Sequence, residues 1–253
     1  MNIYTKYITS LKKLVVLKAK SNKLNVKETI MLLKDEIQKM QGEMLPQIPE
    51  DALKLLLGNI EKLVKSGIAE RTLNEGDEIP QINLPNAVGK TIDVNSMLKD
   101  GPVVISFYRG AWCPYCNLEL NALQQALPEI NSLGARLIAI SPNTPDNSIS
   151  SIEKHGLEFE VLTDAGNKIA KEFRLVFNLA EELRPIYQQF NFDITKYNGD
   201  ESWELPIPAT YIVNTDGKIV HSFVNADYTQ RMEPADIINK LKELTAQKQH
   251  EFN

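Results

Sequence analysis

Val103-Val104-Ile105-Ser106-Phe107-Tyr108-Arg109-Gly110-Ala111-Trp112-Cys113-Pro114-Tyr115-Cys116 joins an apolar run to the start of a periodic one. The apolar residues Val103 to Tyr108 alternate little, which predicts a strand buried on both faces. The run Asn117 to Leu133 predicts a helix. Its inward face carries Cys116, Leu120, Leu123, Leu127 and Ile130, at spacings of four, three, four and three. Between strand and helix lie the only two cysteines of 253 residues, spaced Cys-x-x-Cys. A thiol at the start of a helix faces unpaired backbone N–H groups and the positive end of the helix dipole. Both favour the thiolate. The stretch points to thiol redox chemistry, with a peroxide or another disulfide as the oxidant.

The helix register divides the two sulfurs. Cys116 heads the inward face and is expected to be shielded. Cys113, three residues earlier, is expected at the exposed tip of the helix start. A short disulfide between them is geometrically reasonable, with Cys113 as the attacking thiolate and Cys116 as the resolving thiol. Pro114 at the first helical position costs the helix no N–H that it needs. Arg109, just past the strand end, either holds the thiolate and orients an oxyanion or is a solvated surface arginine. Trp112 and Tyr115 either cover the two sides of the site or pack against neighbouring loops.

Outward from this junction, residues 75–253 alternate strands and helices. Short strands are expected at Ile82 to Leu84 and Lys90 to Val94. Further strands are expected at Arg136 to Ser141 and Phe159 to Thr163, and helices at Ser148 to Lys154 and Lys168 to Phe173. A hairpin, Thr210 to Asn214 with Lys218 to Val224, turns at Thr215-Asp216-Gly217. A helix from Pro234 to Ala246 closes the pattern. This order predicts an α/β fold with a mixed central sheet flanked by helices. Residues 176–206 break the alternation and are expected to form an inserted, partly helical lobe, in which Arg184 and Trp203 shape a substrate entrance. Pro208, just before the hairpin, either starts its strand or sits in a cis-proline loop that faces the cysteines and presents a backbone edge to substrate.

Residues 1–74 read as a helical N-terminal extension. Tyr4, Tyr7, Ile8, Leu11, Leu14 and Val15 share one face. Asn25 and Glu28 suggest a capping box for a second helix running to about Met40. Leu45-Pro46-Gln47-Ile48-Pro49 breaks the pattern. A third helix starts near Glu50 and ends before Gly67. Packing onto the main domain or onto a second copy, as in a homodimer, accounts for these stripes.

Composition narrows the function. A net charge of −5 argues against nucleic-acid binding. No apolar run is long enough to span a bilayer. Leu14-Val15-Val16-Leu17 is too short for a secretory signal core, so a cytoplasmic protein is expected. His155, His221 and His250 are scattered, and there is no second cysteine pair, so no metal site is expected.

Four stretches carry a family resemblance: Gly76-Asp77-Glu78-Ile79-Pro80 with Leu84-Pro85-Asn86; Phe107 to Leu120 across both cysteines; Val161-Leu162-Thr163-Asp164 with Ile169 to Phe173; and Pro206 to Val213 with Asp216-Gly217-Lys218-Ile219. Over about residues 75–246 the chain resembles the thioredoxin superfamily, specifically the peroxiredoxin-like branch of the alkyl hydroperoxide reductase and thiol-specific antioxidant family. The resemblance implies a thioredoxin-like fold and no cofactor. It implies a thiol peroxidase that reduces hydroperoxides and is recycled by thioredoxin or a similar thiol reductant. Cys113 matches the peroxidatic cysteine. The chain departs from the pattern in four places. Ser106 stands where the family has a proline, Gly110 where it has a threonine, and Cys116 where it has a glutamate. Pro208 and Ala209 stand where it has a late arginine, and Arg109 is the candidate to stand in for that arginine. These departures keep two other readings open: a thioredoxin-like disulfide oxidoreductase and a non-enzymatic redox sensor.

Overall fold

The structure is a computed structural model and describes residues 32–251. The expected first helix and the Asn25–Glu28 capping box lie outside the described residues. Helix α1 spans Leu33–Met44 and α2 spans Glu50–Lys65, separated by a 3-10 turn at Leu45–Gln47. Gly67 follows α2 at φ +65°, the left-handed conformation that ends a helix without cost at glycine. The first N–H groups of α1, on Leu33 and Lys34, donate to the Glu233 carboxylate at 3.0 and 2.8 Å. That carboxylate satisfies otherwise unpaired donors and sits at the positive end of the helix dipole.

Two short strands follow, β1 (Asn83–Pro85) and β2 (Thr91–Asp93), paired antiparallel, then a single turn α3 (Val94–Met97). Next come β3 (Val103–Phe107), α4 (Pro114–Ser132), β4 (Arg136–Ser141), α5 (Pro145–His155), β5 (Glu160–Thr163) and α6 (Lys168–Glu172). A lobe then runs from β6 (Val176–Asn178) through α7 (Arg184–Gln189) and α8 (Ile194–Asn198) to β7 (Glu204–Pro206). The chain ends with β8 (Ala209–Val213), β9 (Ile219–Val224) and α9 (Pro234–Glu251).

The central sheet has the order β5-β4-β3-β8-β9. β3 runs parallel to β4 and antiparallel to β8, so the sheet is mixed, as the element order predicts. All five residues of β3 are buried, which explains its lack of alternation. Val104 faces α4, while Val103, Ile105 and Phe107 face the opposite layer. On the α4 side pack Leu33, Ile37 and Met40 of α1 and Ile237 and Leu241 of α9. The opposite layer is filled by Ile82, Val94, Phe173 and Tyr211. The lobe after α6 contains a two-stranded ladder that periodicity does not reveal. β6 pairs with β7 from Val176↔Pro206 to Asn178↔Glu204. Each strand is three residues long, and the whole of α7 and α8 separates the two, so no turn signal marks them as partners.

α2 buries none of its residues fully, and Leu55, Leu57 and Val64 are 43, 52 and 45% exposed. Among the described residues no helix is long and apolar enough to cross a membrane, and no peptide bond is cis. The Ile207–Pro208 bond is therefore trans, against the cis-proline expectation. Pro208 is simply the residue before β8, whose Ala209 pairs with Phe107 at the end of β3.

Candidate active site

The loop from β3 to α4 is held by short-range bonds and by one side chain from across the sheet. The Tyr108 N–H donates to the Ile140 carbonyl at 3.0 Å, extending the parallel ladder by one residue. The Cys113 N–H donates to the Gly110 carbonyl at 3.1 Å and closes a tight turn. Asn143, fully buried beyond β4, accepts from the Ala111 N–H at 2.8 Å. Asn117 donates to the Ala111 carbonyl at 3.0 Å. Cys113 becomes the N-cap of α4, and Pro114 takes the first helical position, as predicted.

Gly110 explains one departure from the family pattern. Its φ is +146°, and a Cβ there would lie 2.6 Å from Trp112 Nε1 and 2.7 Å from Asn143 Nδ2. No threonine fits, so no hydroxyl can stand at this position. Gly110→Thr is expected to destabilise the protein by roughly 2–4 kcal/mol through backbone strain and overpacking. A lowered urea midpoint at unchanged slope checks this; a midpoint equal to the wild type refutes it.

Cys113 is not exposed. Both cysteines have no accessible surface. Helix register describes a single helix, whereas Tyr187, Tyr228 and Arg231, all remote in sequence, close over this site. Arg109, four residues before Cys113, is itself only 2% exposed, so the solvated-arginine alternative falls. Its Nη2 donates to Cys113 Sγ at 3.1 Å and its Nη1 to the Tyr187 hydroxyl at 3.4 Å. Its guanidinium stacks 3.9 Å from the centre of the Tyr228 ring and 5.0 Å from that of Trp112. A second arginine reaches the site from the loop before α9. Arg231 Nη2 lies 3.5 Å from Cys116 Sγ, and its Nε donates to Glu119 at 2.7 Å. Arginine, carboxylate and thiol are all buried.

Burial alone pushes the Cys113 thiol up. Hydrogen bonding from Cys116, together with the charges of Arg109 and Arg231, outweighs that and holds the thiol well below its ordinary range. Burial, then the hydrogen bond and negative charge of Cys113, drive Cys116 the other way. The two sulfurs are thus driven apart, Cys113 toward the thiolate and Cys116 toward the thiol. This division follows from the charges around the sulfurs, not from exposure. Burial also pushes the Glu119 carboxyl up to about 7, against the pull of Arg231.

The site opens onto a cavity of about 630 Å³. Arg109, Trp112, Pro114 and Tyr115 form one wall, α1 and α2 another, and Tyr187, Phe190 and Phe192 of the inserted lobe a third. Tyr115 accepts a hydrogen bond from Gln41 of α1 at 3.4 Å. Pro208 is not in the cavity wall. Nor are Arg184 and Trp203, which instead stack on each other at 5.1 Å, so the lobe shapes the entrance through other residues. Sequence reading missed Glu119, Tyr187, Tyr228 and Arg231. Only Glu119 left a trace, as a charged residue beside the inward stripe of α4. The others come from distant segments with no local signature.

Comparison with known proteins bears on this site. Residues 76–222 match the AhpC/TSA family. Peroxiredoxin Q, chloroplastic, from Populus jackii is 33% identical over 101 residues, 40% of this chain. The chain spans about half of that relative's length (47%). Peroxiredoxin Bcp of Escherichia coli (strain K12) is 23% identical over 171 residues, 68% of this chain and 97% of that protein. Among solved structures, peroxidoxin BcpB from Mycobacterium tuberculosis shares the fold, with a TM-score of 0.54 and 20% identity. That match covers 68% of this chain and 97% of that one.

Proposed function

The chain belongs to the AhpC/TSA family, and from that premise we propose that it is a thiol-dependent peroxidase in which Cys113 attacks the hydroperoxide and Cys116 resolves the product. The observation that carries this reading is the 3.1 Å contact between Arg109 Nη2 and Cys113 Sγ in a fully buried setting. A buried cation in contact with sulfur keeps the nucleophile ionised, and its charge remains beside the oxygen where negative charge develops.

The cycle balances in three steps. The Cys113 thiolate attacks the terminal oxygen of ROOH, the O–O bond breaks, and RO⁻ leaves and takes a proton as ROH. Cys113 is then a sulfenic acid. The Cys116 thiol condenses with it, forming the S–S bond and releasing water. A reduced dithiol such as thioredoxin then exchanges with the disulfide and leaves as its own disulfide. The last step requires the first turn of α4 to open, because a protein thiol cannot reach a sulfur with no accessible surface. The need for a reduced dithiol partner favours the cytoplasm as the compartment.

Intact mass after one equivalent of hydrogen peroxide tests the reading. The native chain is expected to lose two hydrogens as the Cys113–Cys116 disulfide forms. Cys116→Ser is expected to gain one oxygen at Cys113, trapped by a dimedone-type reagent. A native chain whose thiols react no faster than free cysteine sinks the proposal.

A further inference from the structure

We infer that Arg231, held in place by Glu119, is a catalytic residue for the resolving step, so that each cysteine is served by its own arginine. This rests on the peroxidase reading and deepens its second step. Arg231 Nη2 lies 3.5 Å from Cys116 Sγ, the sulfur that closes the disulfide. Its other nitrogens are occupied elsewhere. Nε donates to Glu119 at 2.7 Å, and Nη1 donates to the Gln230 carbonyl at 2.7 Å and to the Tyr228 carbonyl. The planar fork is therefore fixed, and the one nitrogen left over faces sulfur. The Arg231 and Glu119 side chains are 1 and 3% exposed. Charge acts strongly in such a setting, because little water is present to screen it.

Before peroxide arrives, Cys113 opposes the ionisation of Cys116. Burial is the largest cause that keeps Cys116 a thiol, followed by its hydrogen bond to Cys113 and the negative charge there. Arg231, and after it Arg109, pull the other way. Oxidation of Cys113 removes two of the three opposing causes at once. A neutral sulfenic acid has neither the charge of a thiolate nor its strength as an acceptor. Burial then stands against two arginines, and Arg231 is the one in contact with Cys116. Cys116 gives up its proton, and its thiolate attacks the Cys113 sulfur. The S–O bond breaks, and the departing hydroxide takes up a proton and leaves as water. Oxidation of the first thiol thus switches on the second.

Glu119 is a positioning residue. It follows Cys116 by three positions on α4, so the helix sets carboxylate and sulfur on one side and Arg231 bridges them. Without that carboxylate a buried cation would stand uncompensated. The loop that supplies Arg231 also supplies Tyr228, whose ring carries Arg109 at 3.9 Å, so one loop before α9 sets both arginines. Among the described residues, the charged or titratable groups that face Cys116 come from three segments. They are Cys113 and Glu119 of its own helix, Tyr108 and Arg109 from the end of β3, and Arg231. Burial pushes the Tyr108 hydroxyl up to about 12, so it stays neutral beside them.

The test uses the full chain and hydrogen peroxide without reductant, so that each chain turns over once, with acid quench and intact mass. A gain of one oxygen times the attack, and a loss of two hydrogens times the closure. Two variants are compared with wild type: Arg231→Lys, and Glu119→Leu together with Arg231→Met, an apolar pair expected to keep the fold where a lone truncation would not. In the double variant the ratio of closure rate to attack rate is expected to fall about tenfold at pH 7, and the pH of half-maximal closure to rise by about one unit. Arg231→Lys keeps the charge without the fork and is expected to fall between the two. The inference is overturned by a folded double variant whose closure stays within about threefold of wild type. It is equally overturned if both steps slow together and the pH of half-maximal closure does not move. Either result leaves the peroxidase reading standing. If the double variant does not fold, Arg231→Lys decides, and closure at the wild-type rate and pH midpoint overturns the inference. A wild-type chain that neither gains oxygen nor forms the disulfide overturns both readings.

Discussion

Arg109→Leu is expected to lower the second-order rate constant for hydrogen peroxide by about 100-fold or more, with the thiol pKa of Cys113 moving up. Two effects add. Removing a preorganised cation from a buried site costs about 3 kcal/mol of transition-state stabilisation by analogy with oxyanion donors, roughly two decades in rate. The thiolate also loses its nearest opposite charge, so burial is opposed only by Cys116 and Arg231. Arg109→Lys keeps the charge but not the planar fork that contacts sulfur and Tyr187 together, and it should fall between leucine and wild type. Thiolate absorbance near 240 nm against pH, read beside the rate profile, separates the two effects. A leucine variant within threefold of wild type in both would mean that Arg109 is a packing residue only.

Arg231→Leu is expected to cost about 3–5 kcal/mol of stability, because it leaves the buried Glu119 without its cation. The cost should be larger at pH 8 than at pH 5, since a protonated Glu119 needs no partner. Replacing both members, Glu119→Leu with Arg231→Met, should recover most of the loss, as apolar substitutes for buried pairs commonly do. The wild type carries a related pH signature. The Glu119 carboxyl is raised in the folded state from 4.5 to about 7 by burial. A raised carboxyl binds its proton more tightly when folded. Its contribution is therefore complete below pH 4.5 and is lost as pH rises through 7, by about 3 kcal/mol at 1.36 kcal/mol per unit. Glu119→Gln should flatten that slope in urea melts taken from pH 4.5 to 8. An unchanged slope would show that Glu119 keeps its charge throughout the range.

Much of the fold was legible because its signals are local. The unbroken apolar run of β3, the stripe on α4 and the Pro114 start each depend on neighbours within a few residues. So do the hairpin turn at Asp216-Gly217 and the end of α2 at Gly67. The β6–β7 ladder escaped because its two strands lie far apart in the chain, with α7 and α8 between them and no shared turn. Within the site, Cys113, Cys116, Arg109, Trp112 and Tyr115 were visible from one contiguous stretch. Glu119 and Arg231 were not, since a buried charge is recognised by its partner, and that partner lies more than a hundred residues away.

The sequence by itself determined a Cys-x-x-Cys at a strand-to-helix junction in a mixed α/β sheet, because helix starts, strand burial and apolar period are short-range properties of the chain. It also determined which sulfur caps the helix and which heads its inner face. Only the tertiary structure decided what surrounds them. It buried Cys113, which register alone would leave exposed, and brought Arg231 to Cys116. It turned Gly110 into a position that admits no side chain, and it roofed the thiolate with α1, α2 and an inserted lobe. Burial and charge pairing act through space, between segments whose separation along the chain carries no local mark.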